Sequence, residues 1–304
     1  MEWKDLPLVF KNHVVAELNL KSRNSLRLCS RDDMEIVDSS PVSLESLEVV
    51  ITHGNRMNLK IQETSDFNSR IHRNSLETSE ILSVFRKPLL RINEFRIMCP
   101  GSQSDKLSEL ISNFETSQPK VKIHARHMYW RCSPPDGLDR ANINFIRFLE
   151  CFDEDVLEMI HNDMNSFTCD EINQLGALEQ WRNSKEISLG NGKVMFVEPF
   201  LHFRNCMVYF ERLDGEAIWK MIQSFISRDL PVGCSFDFYN EQPPKLEDVF
   251  KAYNVEPKNQ PIFPDDIGVE GRHTQRFKMK TEGNFLVVKN TEMGIRGTVQ
   301  KIEE

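Results

Sequence analysis

From Leu47 onward the chain alternates short β-like runs with short amphipathic helices, and this alternation limits its fold more than any other feature. Runs such as Ile92 to Met98, Cys206 to Phe210 and Cys234 to Tyr239 are brief and apolar, as strands within a sheet are. Between them lie segments of helical period. Leu107, Leu110, Ile111 and Phe114 stand at i, i+3, i+4 and i+7 behind Ser104, a residue suited to capping a helix. Strand centres recur roughly every 20 to 35 residues, a spacing at which strand–helix units can stack and cover each other's apolar faces. The pattern predicts an α/β fold. It is expected to be an irregular strand–helix repeat, open and solenoid-like, with a mainly parallel sheet and helices on one side.

The individual segments can be placed. Leu47 to Ile51 and Leu59 to Ile61 flank His53-Gly54-Asn55, which predicts a hairpin. Glu63 to Ser79 is polar and weakly patterned and reads as a loop. It leads into a helix through Ile81, Leu82, Val84 and Phe85 that Pro88 would stop. Val121 to His127 alternates as a strand, and Cys132 to Gly137 breaks the chain before a helix carrying Ile143, Phe145, Ile146, Phe148 and Leu149. Asp170 opens a helix with Ile172, Leu175 and Leu178 ahead of Trp181. Glu186 to Leu189 reads as a brief strand closed by Gly190-Asn191-Gly192. Asp214 caps a helix with Ile218, Met221, Ile222 and Phe225 on one face and Trp219 in its core. Leu246, Val249, Phe250 and Tyr253 form the face of the next helix. A connector from Pro257 to His273 precedes a last hairpin, Phe277 to Met279 and Phe285 to Val288, turned at Glu282-Gly283-Asn284.

The first forty residues differ in kind. Pro7 marks a helix start, because proline is tolerated in the first turn and its φ is already helical. Phe10, Val14, Val15 and Leu18 follow at near-helical period. Leu26, Leu28 and Cys29 form a second apolar segment, and Met34, Ile36 and Val37 a third. Three short amphipathic helices in about forty residues cannot bury a core alone, so this unit must lean on the rest of the chain or on a partner.

At 304 residues the chain fits roughly two domains, or one repetitive domain with an appendage. Charged residues make up 28% and apolar ones 39%, as in ordinary globular proteins. No run of eighteen apolar residues occurs, and Glu2, Lys4, Asp5 and Lys11 near the start argue against a secretory signal. Seven cysteines without a CxxC read as small buried apolar residues of a reducing compartment. A net charge of −8 argues against nucleic acid, whose binding rests on neutralising phosphates. The expected location is cytosol or nucleus.

Catalytic signatures are missing. Gly190-Asn191-Gly192-Lys193 lacks the spacing of a phosphate loop, and neither GxSxG nor HExxH occurs. His124 and His127 would point to opposite faces of the inferred strand and could not share a metal ion with Cys132. His202 beside Phe203 reads as a satisfied core or strand-edge histidine, since no nucleophile or orienting carboxylate is apparent for it. The chain is expected not to be an enzyme and to need no cofactor or metal.

Charge is unevenly spread. Between Phe148 and Trp181 stand Glu150, Asp153, Glu154, Asp155, Glu158, Asp163, Asp170, Glu171 and Glu179, with no Lys or Arg. Lys120 to Arg147 is the basic counterpart. The two blocks either neutralise each other or leave an acidic patch that steers a basic segment of a partner. Candidate target-binding residues are Asp153, Glu154 and Asp155 with the strand-end aromatics Tyr129, Trp130 and Tyr209; Tyr239 is a further strand-end aromatic.

Two resemblances add to this reading. Leu6-Pro7, Val14, Leu18, Leu20-Lys21-Ser22-Arg23, Leu26-Arg27, Cys29-Ser30 and Ile36 to Pro41 resemble the F-box of the large nematode F-box families. The third helix departs from the pattern at Arg31-Asp32-Asp33-Met34, where the family more often has basic and aromatic residues. The resemblance implies an F-box-like module over 1–45. Leu6, Pro7, Val14, Leu18, Leu20 and Leu26 would dock a Skp-type adaptor protein and, through it, a cullin. Leu178 to Ile187, Leu201-His202-Phe203 and Phe236-Asp237-Phe238 are similar to the FTH (FOG-2 homology) domain that follows the F-box in one branch of that family. This second resemblance is strongest over 175–240 and implies an αβ target-recognition domain over 46–304. Together they imply the substrate-recognition subunit of a Skp-Cullin-F-box ubiquitin ligase, binding a protein target. The alternative is a stand-alone interaction scaffold whose degenerate F-box no longer binds the adaptor.

Overall fold

A computed structural model describes residues 2–52, 54, 56–63, 70–87, 89–133, 139–162, 164, 166–240, 245–252, 274–290 and 294–301. His53, Asn55, Pro88, Pro134 to Gly137, Asp163, Tyr253 and the connector Pro257 to His273, all named above, lie outside the described residues. The chain divides into two compact units, 1–157 and 158–304.

The first unit opens with helices α1 (Leu8–Glu17), α2 (Leu20–Arg27) and α3 (Arg31–Ser39). Pro7 precedes α1 with φ −57°. Asn19 caps α2 by accepting from the Ser22 amide, and Ser30 caps α3 by accepting from the Asp33 amide. The core these helices share is small: Val15, Ile36 and Val37, with Trp3 and Leu26 packed against it. The remainder of the unit is β1 (Val42–Thr52), β2 (Arg56–Glu63), β3 (Arg70–Leu76), α4 (Thr78–Phe85), β4 (Leu90–Cys99), α5 (Ser104–Thr116), β5 (Ala125–Cys132) and α6 (Asp139–Leu149). Its strands run in the order β5-β4-β1-β2-β3. Those from β5 to β1 are parallel, and those from β1 to β3 antiparallel. An aromatic core fills it, with Phe95 edge-on to Phe152 at 5.7 Å and Phe148 edge-on to Phe152 at 5.5 Å.

The second unit comprises β6 (Met159–Asn162), α7 (Cys169–Ala177), α8 (Glu179–Asn183), β7 (Glu186–Val194), β8 (Asn205–Phe210), α9 (Gly215–Arg228), β9 (Ser235–Tyr239), α10 (Leu246–Ala252), β10 (Thr274–Lys278), β11 (Asn284–Asn290) and β12 (Gly294–Lys301). The order is β10-β11-β12-β9-β8-β7-β6. Strands β6 to β9 are parallel, whereas β12 runs antiparallel to β9 and β10 to β12 form an antiparallel meander. In both units strands such as β2, β4, β8 and β9 alternate buried with less buried residues, so one sheet face is covered and the other is partly open.

The architecture is α/β, as expected, but the sheet is mixed rather than mainly parallel. Hairpins lie beside each parallel run, and hairpins need only short connections. Other expectations also shift. β3 occupies part of the expected loop, with His72, Arg73, Asn74 and Ser75 exposed. As an edge strand it is held by backbone pairing to β2 and leaves little apolar period to read. β5 begins at Ala125 rather than Val121, because Ile123 makes only an isolated bridge to Phe152. Ser104 is the first residue of α5 rather than its cap, after a 3-10 turn at Gly101–Gln103. Gly190-Asn191-Gly192 is not a turn. β7 continues to Val194, and its register against β8 shifts after Leu189. β12, unanticipated, contains Gly297, where a Cβ would stand 2.2 Å from the Phe236 ring.

Candidate interaction surfaces

Leu6 to Phe10 is unbroken apolar sequence, and its last three residues open α1 at successive positions spread around a turn of 3.6 residues, so they cannot all face inward. Accordingly α1 buries only Val15. Leu8, Val9 and Phe10 remain 60%, 82% and 51% exposed, and Leu28, just after α2, is 84% exposed. Of the predicted adaptor residues, Pro7 is exposed, while Leu6, Val14, Leu18, Leu20 and Leu26 are half-buried. Leu26 packs on the helical core. Phe10 belongs to the helical period of the segment while Leu8 and Val9 fall outside it, and none of the three is among the predicted adaptor residues.

The other side of these helices is tied to the sheet. The Leu20 amide donates to Glu63 Oε2 of β2 at 2.7 Å. Buried Arg23 donates to the carbonyls of Leu18, Pro41 and Ala16 at 2.9, 2.6 and 2.8 Å, closing the C-terminal end of α1. Burial lowers the Arg23 pKa, opposed by Glu63 and Glu17. Asp33, in the divergent third helix, accepts from Trp3 Nε1 at 2.6 Å and from Ser30 Oγ at 2.7 Å. Those bonds hold its carboxyl below the usual range.

Around the acidic stretch the charges are matched locally. Asp153 Oδ2 lies 2.6 Å from His124 Nδ1, and Glu154 lies 3.0 Å from Lys122 of the basic block. Glu158 pairs with Lys185 at 2.7 Å, Glu179 with Arg182 at 2.9 Å, and Glu171 completes a capping box with Thr168. Asp155 stays exposed. Tyr129 is half-buried, with the Arg96 guanidinium 5.1 Å from its ring centroid, where the ring face attracts a cation. Arg96 also pairs with Glu94 along β4, and Lys60 of β2 pairs with Glu48 of β1 at 3.1 Å. Trp130 is fully buried and edge-on to Phe145, so its side chain is core. Tyr209 stacks on Tyr239 at 4.5 Å with 14° between the rings, next to exposed Met207.

The residues that carried the second resemblance build a packed centre. Trp181 is buried, edge-on to Phe200 and Phe203, and its Nε1 donates to Pro199 at 3.0 Å. His202 Nε2 lies 2.9 Å from the Trp181 carbonyl oxygen. Arg228 donates to the carbonyls of His202 and Phe203. Burial lowers the His202 pKa, favouring the neutral ring. Cys99, Cys132, Cys151, Cys206 and Cys234 are buried free thiols, whereas Cys29 is exposed and Cys169 half-buried, against the expectation of seven buried ones; burial pushes Cys151 up to about 12, so it is a poor nucleophile.

Residues 137–253 match the family model of the FTH domain. An FTH domain is therefore present over that stretch, which contains Trp181, His202, Phe203 and Phe236. No curated protein matches the chain. Among the described residues, no helix is long and apolar enough to cross a membrane.

Proposed function

We propose that the chain is the substrate-recognition subunit of a Skp-Cullin-F-box type ubiquitin ligase, with α1 to α3 docking a Skp-type adaptor. The strand–helix scaffold carrying the FTH domain would bind a protein target in the cytosol or nucleus. It would act without chemistry of its own, by raising the local concentration of a target lysine beside the ligase's charged ubiquitin carrier. The observation that carries this reading is the apolar row Leu8, Val9 and Phe10, exposed at the start of α1 just after Leu6-Pro7, in a helical unit whose α2 is tied to β2. Surface of that kind marks interaction sites.

The test is a pull-down of the purified chain with a Skp-type adaptor beside a Val9→Ser/Phe10→Ser variant. Both side chains are exposed, so the variant should keep its unfolding midpoint. Binding by the wild type and at least tenfold weaker binding by the variant are the expected result. A wild type that does not bind would overturn adaptor docking. The tether from Leu20 to Glu63 supports the second reading, in which these helices serve only as a cap on an interaction scaffold.

A further inference from the structure

A cavity of about 460 Å³ opens where α2 and α3 meet α4 and the start of β1. Arg23, Arg27, Arg86 and Lys87 line it against one carboxylate, Asp38, in a chain whose net charge is −8. The four cations differ in what they have left to offer. Arg23 spends its donors on three backbone carbonyls, and Arg27 holds Asp38 through two bonds of 2.7 and 2.9 Å. The side chains of Arg86 and Lys87, exposed at the rim, make no hydrogen bond or ion pair among the described residues, the two residues bonding there only through their backbone. Although much of the Lys87 side chain is exposed, the cavity wall desolvates its ammonium enough to lower its pKa. Asp38 opposes this, and Arg73, Arg27 and Arg23 add to it.

We propose that this cavity binds a phosphate monoester, with Arg86 and Lys87 donating to its oxygens and Arg23 and Arg27 supplying fixed positive charge. A dianion suits several converging cations better than a carboxylate does, and Arg and Lys are the usual phosphate donors. Asn24, also on the wall, adds an amide donor. The volume falls in the range of small-ligand pockets and leaves room for part of the group that carries the phosphate. The inference does not depend on adaptor docking.

The test is calorimetric titration of the full chain with O-phosphoserine and, separately, pyrophosphate, using serine as the uncharged-side-chain control. We expect one site for a phosphate ligand, none for serine, affinity that falls with added salt, and at least tenfold weaker binding in Arg86→Gln/Lys87→Gln at an unchanged unfolding midpoint. Tighter binding of O-phosphoserine would support the assignment, and binding of pyrophosphate alone, an anhydride and not a monoester, would overturn it. The Val9→Ser/Phe10→Ser variant should bind either ligand as the wild type does, so the two proposals fail separately. Wild-type chain that takes up neither ligand, or a double variant that binds as tightly as the wild type, would overturn the assignment.

Discussion

Glu63 Oε2 accepts a 2.7 Å hydrogen bond from the backbone amide of Leu20, joining β2 to the first residue of α2. That amide has no partner within its own helix, and a carboxylate at a helix N-terminus is favoured by the helix dipole as well. Glu63→Ala should cost about 1–3 kcal/mol, the range for losing a charged partner from a buried donor. Glu63→Gln, which keeps an acceptor, should cost less. Urea unfolding measures the cost, and faster proteolysis within residues 18–31 would show that the helices have loosened. Unfolding and cleavage of Glu63→Ala identical to wild type would mean that the helices stand without this tether.

Trp181 supplies both bulk and a hydrogen bond to its unit, through edge contacts with Phe200 and Phe203 at 5.8 and 5.3 Å and the Nε1 bond to Pro199. Trp181→Ala should destabilise by about 3–5 kcal/mol, as large-to-small changes in cores do. Trp181→Phe should lose less, keeping part of the packing but not the bond. Equilibrium denaturation distinguishes the two.

His202 makes the stability pH-dependent in a stated direction. Its folded pKa lies below the unfolded value of about 6.5, first through burial. The unfolded chain therefore binds the proton more readily, and the contribution of the neutral ring is complete above the unfolded pKa. It is lost as pH falls through the window between the unfolded and folded values. The thermal midpoint should drop more between pH 7.5 and 5.5 for wild type than for His202→Gln, whose amide can still donate to the Trp181 carbonyl but does not titrate. Parallel profiles would remove His202 as the source.

Gly297 faces Phe236 across the β9–β12 pair, and a methyl there would meet the ring at 2.2 Å. Gly297→Ala should cost about 1–3 kcal/mol as an overpacked core does. The double change Gly297→Ala/Phe236→Leu should recover part of that, read from the same urea curves. Equal losses in the single and double variants would place the strain elsewhere.

What could be read in advance was local. Leu107, Leu110, Ile111 and Phe114 are all buried on α5, and Asp214 caps α9 by accepting from the Ala217 amide, as their spacing and type predict. Side-chain period and capping chemistry operate within a few residues, so they are visible in one dimension. β3 and β12 were not legible for the complementary reason. One is an exposed edge and the other carries Gly297 against the Phe236 ring and Gly294 against the Phe238 carbonyl, so their partners rather than their own period define them.

The sequence by itself determined the alternation of strands and helices, the three-helix opening and the segments that resemble an FTH domain. Each follows from periodicity, turn chemistry or residue type within a short window. Only the tertiary structure decided that Trp130 is core while Val9 and Phe10 are surface, and that Lys122 of the basic block meets Glu154 of the acidic one. It also decided that Arg86 and Lys87 converge on a cavity with Arg23 and Arg27. Burial and charge pairing depend on which distant segments come together, and that is set by the sheet's strand order, which no local pattern encodes.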